Sequence, residues 1–407
     1  MGLPDTSQTR CYDQDANAIE CTNQAWPGQD AFYATGCPSE GRFNDNGDGT
    51  VTDTCTGLMW QQETADIDRD GKITPQLPLD AGPDGVTWQQ ALQYCEELEF
   101  AGYDDWRLPN VRELQSIVDY DRRFPHPAID HVFKAEDRNY WTSTSNSLPN
   151  EALLVTFYAC SELWSGSKEL RTFVRAARSA CAMKNGDVNA DKAVDISDAI
   201  TILGHLFLGN PVHLPPLCQI RSGLPDTGQT TCYDTDGNVI DCESESWPGQ
   251  DAFYATGCPS EGRFNDNGDG TVTDTCTGLM WQQRTADVNG DGEVTASPTD
   301  LYGLDGITWQ QALKYCEALE FAGYDDWRLP NARELESIVN YSGREPCIDS
   351  AFEAESLRYW TSSNLEPAGE VGDNPTAAGF VAFSHSGRVY HATKTRACLL
   401  RAVRNMR

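Results

Sequence analysis

Residues 26–62 read WPGQDAFYATGCPSEGRFNDNGDGTVTDTCTGLMWQQ, and residues 247–283 repeat this stretch without a single change. The offset of 221 residues holds from Cys11 through Trp106. A repeat of this length indicates two whole domains rather than a solenoid of short units. Any chemistry that the domain type needs should therefore be found in both copies.

The charge of the chain is strongly negative, with 62 acidic and 30 basic residues and a formal net charge of −32. Phosphate binding needs a basic face, so the composition argues against a nucleic-acid partner. An acidic surface instead attracts cations. No stretch approaches the roughly 20 apolar residues that cross a bilayer, so no transmembrane segment is predicted.

Cysteines recur early in both copies, which predicts disulfides formed in an oxidising compartment. The first pair flanks a turn such as Asp236-Gly237, and the second flanks a hairpin around Asn46-Gly47. Zinc is the alternative, but there is no close Cys-x2-Cys pair and no histidine recurs. The predicted disulfide cysteines are Cys11, Cys21, Cys37 and Cys55, with Cys232, Cys242, Cys258 and Cys276.

The other seven of the 15 cysteines are harder to assign. An odd total leaves at least one thiol free or paired outside the chain. Two of them lie on the apolar face of a predicted helix and are expected to be buried thiols; these are Cys95 and Cys316. Candidate pairs are Cys347 with Cys398 and Cys181 with Cys218. The sequence leaves the pairing of all seven open, Cys160 included.

Each copy begins with strands and continues with two helices. Thr87 with Gln90, and Asn110 with Glu113, form capping-box patterns that mark helix starts, and both patterns recur in the second copy. Strand-like segments close each copy: YWTSTS, LLVTFYA and FVRAARS in the first, YWTSS, GFVAFS and LLRAVR in the second. The predicted class is α+β, with two helices packed on short antiparallel strands.

A different segment, 181–221, separates the predicted domains 1–180 and 222–407. It reads as one loop followed by one amphipathic helix. An EF-type loop supplies calcium with oxygens from positions 1, 3, 5, 7, 9 and 12. Lys192 stands where glycine is usual, and the alternative is an Asx-rich turn that caps a helix. The predicted calcium ligands are Asp187, Asn189, Asp191, the Ala193 carbonyl, Asp195 and Asp198.

Each large domain carries a partial version of this loop, and calcium is predicted there too. The usual closing position holds Leu77 or Pro298, so a later acid such as Asp80 or Asp300 has to substitute. The alternative is a solvated turn. The ligands are predicted to be Asp66, Asp68, Asp70 and Lys72 in the first copy, and Asp287, Asn289, Asp291 and Glu293 in the second.

Three further patterns have structural interpretations. The Asn/Asp/Gly run at 44–50 and its copy at 265–271 are predicted to be hairpin turns rather than metal sites. Arg107 and Arg328 follow paired aspartates and are expected to anchor a loop. The recurring tryptophans are expected in the core; in the first copy they are Trp60, Trp88, Trp106 and Trp141.

The segments GRFNDNGDGTVTDTCTGLMWQQ, TWQQALQYCEELEFAGYDDWRLPNVRELQSIVDY, YWTSTS and VRAAR together resemble the DUF1566 or Lcl C-terminal family. The resemblance covers nearly all of 1–180 and 222–407. It implies secreted or surface-exposed bacterial domains with a fold like that of C-type lectins. It also implies a binding or adhesion module, sometimes for sulfated glycans. The EPN, QPD and WND triplets of calcium-dependent lectins are absent.

The central segment resembles half of a dockerin, since one calcium loop and one helix are present. It is therefore interpreted as a calcium-folded spacer. The copies differ most at 143–172 and 362–398. In C-type-lectin-like folds this stretch resembles the long loop region that meets ligands, although loop drift after duplication is an equal alternative.

The leading hypothesis is a secreted, calcium-stabilised, non-enzymatic binding or adhesion protein for a glycan or a surface protein. An alternative is a structural subunit of an extracellular filament or matrix. Residues 2–9 recur at 223–230, so the chain is expected to start at a repeat boundary, as one unit of something longer. A head-to-tail contact between chains at that edge would propagate.

A remote alternative is an oxidase of the formylglycine-generating type, because DWRLPN is similar to a segment of those enzymes. Such enzymes need a C-terminal pair of reactive cysteines. The first copy has no cysteine at the position that matches Cys398.

Overall fold

The computed structural model describes residues 3–73, 82–122, 127–158, 163–180, 224–294, 305–342, 345–364, 376–384 and 387–406, with Ser197, Ile200, Leu203 and Gly204 of the central segment. Each copy divides into an arm and a body. Arm 1 is residues 3–41 and body 1 is residues 42–180. Arm 2 is residues 224–262 and body 2 is residues 263–406.

The first copy is a mixture of short antiparallel sheets and short helices. Arm 1 contains a hairpin of β1 (Cys11–Tyr12) and β2 (Ala18–Ile19) and a one-turn helix α1 (Asp30–Tyr33). Body 1 contains a four-stranded sheet in the order β3 (Phe43–Asp45), β4 (Thr50–Asp53), β5 (Leu58–Gln61) and β9 (Ala177–Ser179). It also has a three-stranded sheet of β6 (Asn139–Ser145), β7 (Glu151–Thr156) and β8 (Leu163–Ser167), with helices α2 (Trp88–Glu96) and α3 (Val111–Ser116).

The second copy repeats this architecture. Arm 2 contains β10 (Cys232–Tyr233), β11 (Val239–Ile240) and α4 (Asp251–Tyr254). Body 2 contains the sheet β12 (Phe264–Asp266), β13 (Thr271–Asp274), β14 (Leu279–Gln282) and β18 (Val403–Asn405). Its second sheet is β15 (Arg358–Trp360), β16 (Ala377–Ala382) and β17 (Val389–Thr393), and its helices are α5 (Trp309–Glu317) and α6 (Ala332–Ser337).

The predicted capping boxes form in both bodies. At the start of α2 the Thr87 side chain accepts a hydrogen bond from Gln90 N, and the Gln90 side chain accepts one from Thr87 N. Asn110 and Glu113 make the same exchange at α3. These bonds satisfy backbone donors that a helix start leaves open, which explains why such short helices begin where they do.

Several elements differ from the sequence-based expectation. FVRAARS was expected to be a strand, but only Ala177–Ser179 pairs as β9, while Phe173 makes an isolated bridge to Tyr140. Strands β8 and β17 and the one-turn helix α1 were not predicted. Glycine and serine interrupt the alternation in LWSGS, and DAFY is too short to show a helical period.

Each arm is joined to its own body by a disulfide, Cys37–Cys55 or Cys258–Cys276, and also packs on the body of the other copy. The Tyr33 hydroxyl of arm 1 donates to Glu317 Oε1 of body 2 at 2.5 Å. In the reciprocal contact, the Tyr254 hydroxyl of arm 2 donates to Glu96 Oε1 of body 1 at 2.8 Å. The two copies therefore exchange equivalent segments about a pseudo-twofold axis.

The apolar core of the described residues follows the same exchange. One cluster contains residues of both copies, including Leu3 and Leu224 at the two arm starts. A second consists of body 2 residues together with Trp26 of arm 1. A third lies in body 1 and has Trp247 of arm 2 packed against it. Trp26 and Trp247 therefore each add to the apolar cluster of the opposite body.

Candidate functional site

The cysteine framework matches the sequence-based prediction. Disulfides join Cys11 to Cys21, Cys37 to Cys55, Cys232 to Cys242 and Cys258 to Cys276. These cysteines are therefore not zinc ligands. Such bonds persist in oxidising compartments. Among the other described cysteines, Cys95 and Cys316 are buried thiols, as expected.

The candidate pair Cys347 and Cys398 does not form a disulfide. Cys347 lies in the cluster shared by both copies, whereas Cys398 lies in the cluster of body 2. Cys160, Cys181 and Cys218 lie outside the described residues.

The predicted anchoring role of the two arginines is confirmed, with a different partner from the aspartates nearby. Arg107 donates to both Glu113 carboxylate oxygens at 2.6 and 2.7 Å, and Arg328 donates to Glu334 at the same distances. Both pairs are buried, so they fix the turn before α3 or α6 rather than face a ligand. The predicted core tryptophans are fully buried as well: Trp60, Trp88, Trp106 and Trp141.

The run at 44–50 forms the β3–β4 turn, as predicted. Asp45 Oδ1 accepts from Gly47 N at 2.8 Å, and Asp48 Oδ1 accepts from Thr50 N at 3.0 Å. The copy at 265–271 has the same bonds. The side-chain oxygens are therefore used to close the turn.

The loop after β5 brings three carboxylates together in body 1. Oxygens of Asp66, Asp68 and Asp84 lie within 4.8 Å of one another. Calcium binds oxygens at about 2.3–2.6 Å, so two ligands of one ion lie at most about 5 Å apart. Asp70 is not part of this group, and its Oδ1 accepts from Lys72 N at 2.8 Å within the turn.

Among the described residues, Asp84 stands in the place of a closing acid for this loop, and the suggested Asp80 lies outside them. Asp84 is fully buried in the short 3-10 turn Gly82–Asp84, and its Oδ1 accepts from Ile67 N at 3.1 Å. A signal in the sequence was available. Asp84 and Asp305 both precede glycine, just before the capped helix, at the repeat offset of 221.

Two features of this cluster fit a cation. Asp66 Oδ1 is buried and has no hydrogen-bond partner. The hydrogen bond from Asp70 N lowers the pKa of Asp68, but burial and the carboxylates of Asp70, Asp84 and Asp66 outweigh it and leave that pKa above its usual value. A bound divalent ion would supply a partner for the buried oxygen of Asp66, and it would also offset the repulsion among the carboxylates. Asp66, Asp68 and Asp84 would hold such an ion, and it would cross-link the loop.

Body 2 has the same loop backbone with a different donor set. Asp305 Oδ1 accepts from Val288 N at 2.9 Å, and Asp287 Oδ2 accepts from Gly292 N at 2.8 Å, as the equivalent groups do in body 1. Asn289 replaces Asp68, and its amide donates to Asp291 Oδ2 at 3.0 Å. Asp287 Oδ1 accepts from Gly290 N, so no oxygen of that carboxylate is left without a partner.

The central calcium loop remains a prediction. All of its proposed ligands, Asp187, Asn189, Asp191, Ala193, Asp195 and Asp198, lie outside the described residues, as does Asp300 of the second copy. The described residues of the segment are helical, and two members of its expected apolar stripe are exposed: Ile200 at 61% and Leu203 at 51%.

A cavity of about 560 Å³ opens where arm 1 meets body 2. Three polar side chains in its lining bond to one another. Thr35 Oγ1 donates to Glu334 Oε1 at 3.0 Å, and Asn331 Nδ2 donates to Thr35 Oγ1 at 3.2 Å. The cavity is therefore a junction between arm and body with few groups left over for a polar ligand.

An aromatic pair joins the two bodies. The rings of Trp164 on β8 and Tyr390 on β17 meet edge to face, with centroids 6.2 Å apart. Trp164 is 45% exposed, although most tryptophans of the chain are buried. Arg388 donates to the Tyr390 hydroxyl at 2.7 Å and also to Ser165 Oγ of body 1. This cross-copy aromatic pair lies in the segments where the copies differ most.

The model of the Lcl C-terminal domain family matches residues 49–178 and 270–404, which together make up more than half of the chain. The chain belongs to the Lcl C-terminal domain family. Each Lcl match falls within one body and leaves its arm out. No curated protein matches the chain. Among the described residues of the two Lcl copies and the segment between them, no helix is long and apolar enough to span a membrane.

Proposed function

We propose that this protein is a secreted, calcium-stabilised, non-enzymatic binding module that recognises a glycan through the cross-copy aromatic pair. We also propose that each Lcl body has a C-type-lectin-like fold, on the basis of the resemblance and of two helices packed on small antiparallel sheets. Calcium, held by Asp66, Asp68 and Asp84, stiffens the loop of body 1 and does not itself contact the ligand.

The observation that carries the glycan proposal is the exposure of Trp164. An indole face offers a large, rigid and partly polar contact surface, and tryptophan is enriched at binding hot spots. Ser165, the next residue along β8, donates from its Oγ to Glu151 Oε2 at 2.6 Å, and Asn146 Nδ2 donates to the same oxygen at 2.8 Å. An apolar ring with hydroxyl, amide and carboxylate groups in the same small sheet suits a sugar, which has a C–H face and a rim of hydroxyls.

Charge selects among glycans. The net charge of −32 repels polyanions over the whole surface. Near the aromatic pair, Arg388 already donates to Tyr390 and Ser165. We therefore propose a neutral, hydroxyl-rich glycan rather than a sulfated one.

The oxidase alternative has little support from the cysteines. Burial raises the pKa of the Cys398 thiol to about 12, so little of it is in the reactive thiolate form near neutral pH. The filament alternative was motivated by arms that would bind a neighbouring chain. In the structure, each arm is docked on the other body of its own chain.

The proposal is tested on a glycan array that carries neutral and sulfated glycans, probed with the full chain. Wild-type protein is compared with Trp164→Ala and with Phe253→Ala, a matched control that removes an aromatic ring of similar exposure, 46%, far along the chain. We expect binding of neutral glycans to fall at least tenfold in Trp164→Ala and to persist in Phe253→Ala.

Other results contradict the proposal in distinct ways. Absence of binding to any glycan by folded wild-type protein rejects the glycan ligand. Equal losses in both variants would show that the aromatic pair is not the site. Binding of sulfated glycans alone would reject the argument from charge.

A further inference from the structure

The arms are the most extensively bonded feature of the chain that neither the family match nor the proposed function accounts for. In arm 1, Gln8 Oε1 accepts from Asn364 N of body 2 at 3.0 Å. The equivalent Gln229 of arm 2 accepts from Ser145 N of body 1 at 3.1 Å. Both glutamines are buried, so each pairs with an edge of the other body much as a β-strand would.

The helical turn of each arm adds a second equivalent contact. Asp30 in α1 accepts from Ser363 Oγ of body 2, and Asp251 in α4 accepts from Thr144 Oγ1 of body 1 at 2.6 Å. These carboxylates are almost completely buried. A buried carboxylate is costly unless it is hydrogen-bonded. Each of these aspartates has one hydroxyl donor in its own arm, Thr6 or Thr227, and the second donor is supplied by the other body.

Lysine and aromatic side chains form a third contact. Lys394 Nζ lies 4.5 Å from the Trp309 ring centroid in body 2 and donates to Asp13 O of arm 1 at 3.0 Å. Lys168 Nζ lies 4.2 Å from the Trp88 ring centroid in body 1 and donates to an arm 2 carbonyl, again at 3.0 Å. Both lysines occur in the segments that otherwise diverge, yet both make the same bond across the copies.

Two buried arginines lie where the bodies meet. Arg112 of body 1 donates to the carbonyls of Ser337 and Val339, at and just beyond the end of α6. Arg333 of body 2 donates to Val118 O, just beyond the end of α3, and to Asp5 O of arm 1. A cation at the carbonyl end of a helix is favourable, and here each body supplies it to the other.

The same groups meet on both sides of the axis, so the interface is isologous and closes on itself. We propose that the two copies form an interlocked pseudo-dimer, in which the binding partner of each arm is the other copy of the same chain. The segment between the two copies then acts only as a tether. Association of the two copies does not depend on it, and neither arm is available to a second chain.

Arm docking is tested by a designed disulfide in the full chain. A Cβ placed on Gly28 lies 3.1 Å from Glu317 Cγ, and a Cβ on Gly249 lies 3.1 Å from Glu96 Cγ. A disulfide separates a Cβ from the partner sulfur by about 3 Å, given its S–S length of about 2.05 Å. We expect Gly28→Cys/Glu317→Cys to form a bond between positions 28 and 317 within one chain, identified by peptide mapping under non-reducing conditions.

The matched control is Gly41→Cys/Glu317→Cys. Gly41 has a similar φ of +71°, against +64° for Gly28, but nothing lies within 4 Å of its added Cβ. The control should leave both new thiols open to alkylation. If folded Gly28→Cys/Glu317→Cys also leaves them open, the arm is not docked and the proposal is wrong. A disulfide between two chains would show that arms exchange between molecules and would overturn the closed unit.

The tether is tested by a protease site inserted between residues 219 and 223. The described disulfides each join cysteines within one copy, so the two fragments are held by no described covalent bond after cleavage. We expect the cleaved protein to elute from a sizing column as one particle of unchanged mass, and to separate into two bands on a non-reducing denaturing gel. Elution at about half the mass would overturn the proposal.

Discussion

The loops at residues 66–84 and 287–305 occupy equivalent places in the two bodies but differ at one candidate ligand position. Both begin with an aspartate that accepts a glycine N–H, at 2.9 Å in body 1 and 2.8 Å in body 2. Body 1 has Asp68 where body 2 has Asn289. Among the described residues of the two loops, a buried carboxylate oxygen without a partner occurs in body 1 alone. The duplication thus kept the backbone hydrogen bonds of the loop and changed its set of oxygen donors, which separates what the scaffold needs from what a cation needs.

The largest expected effect tests whether the two scaffolds are equivalent. Arg107→Ala and Arg328→Ala each leave a buried glutamate unpaired, and each should lower the free energy of unfolding by about 3–5 kcal/mol. The pair at Lys134 and Glu63 is exposed, with side chains 65% and 61% accessible, so Lys134→Ala should cost less than about 1 kcal/mol. Denaturant unfolding of the three variants measures this.

Equal losses at Arg107 and Arg328 would support one scaffold used twice. A difference of more than about 2 kcal/mol between the two losses would show that the bodies are not equivalent scaffolds, because ion pairs of the same geometry would then differ in their surroundings.

The second effect concerns pH and the arms. Burial raises the pKa of Asp30 and of Asp251 to about 6, from 3.8 in the unfolded chain. The folded state therefore holds a proton that the unfolded state has released, and stability falls as pH rises from about 4 through 6. Asp30→Asn removes this titration. Relative to wild type, the variant should gain about 3 kcal/mol of stability between pH 4 and pH 7.

Unfolding free energies at pH 4, 5, 6 and 7 provide the measurement, and Asp251→Asn should behave alike. If the difference in unfolding free energy between Asp30→Asn and wild type stays constant across this range, the pKa of Asp30 is the same in the folded and the unfolded chain, and the prediction is wrong. Asp15→Asn changes an exposed arm aspartate and serves as the matched control.

Local rules predicted much of this protein, and long-range contacts explain what they missed. The capping boxes at Thr87 and Asn110 and the disulfides follow from spacing along the chain, so they were predicted correctly. Asp84 closes its loop from 18 residues after Asp66, beyond the span of a calcium-loop pattern.

The exchange of arms has no local signature at all. Trp26 and Trp247 each begin the stretch that the two copies share without change, and nothing near either residue tells which body it packs on. The repeat predicted two domains, whereas the core clusters place each arm on the opposite body. An arm that packs on its own body and an arm that packs on the other body need the same residues, so the sequence alone does not distinguish the two arrangements.

The third effect tests the loops directly. A ligand that binds only the folded state stabilises it by about 2.7 kcal/mol at 100 times its Kd. We expect calcium to raise the melting temperature of wild-type protein. Asp68→Asn gives the loop of body 1 the residue that the loop of body 2 has, and it should remove most of that rise. Asn289→Asp should increase it. If chelator leaves the wild-type melting temperature unchanged, the calcium proposal fails at the described loops.

The smallest effect comes from the hairpin turns, which share the acidic composition of the loops. Asp45 is exposed, and the hydrogen bond from Gly47 N lowers its pKa. An asparagine oxygen accepts the same bond, so Asp45→Asn should change the free energy of unfolding by less than about 0.5 kcal/mol and leave the calcium response intact. Loss of the calcium response in Asp45→Asn, measured by melting with calcium and with chelator, would place the cation in the turn rather than in the loop. The contrast rests on how the oxygens are used: those of the turn already accept backbone donors, whereas Asp66 retains one buried oxygen with no partner.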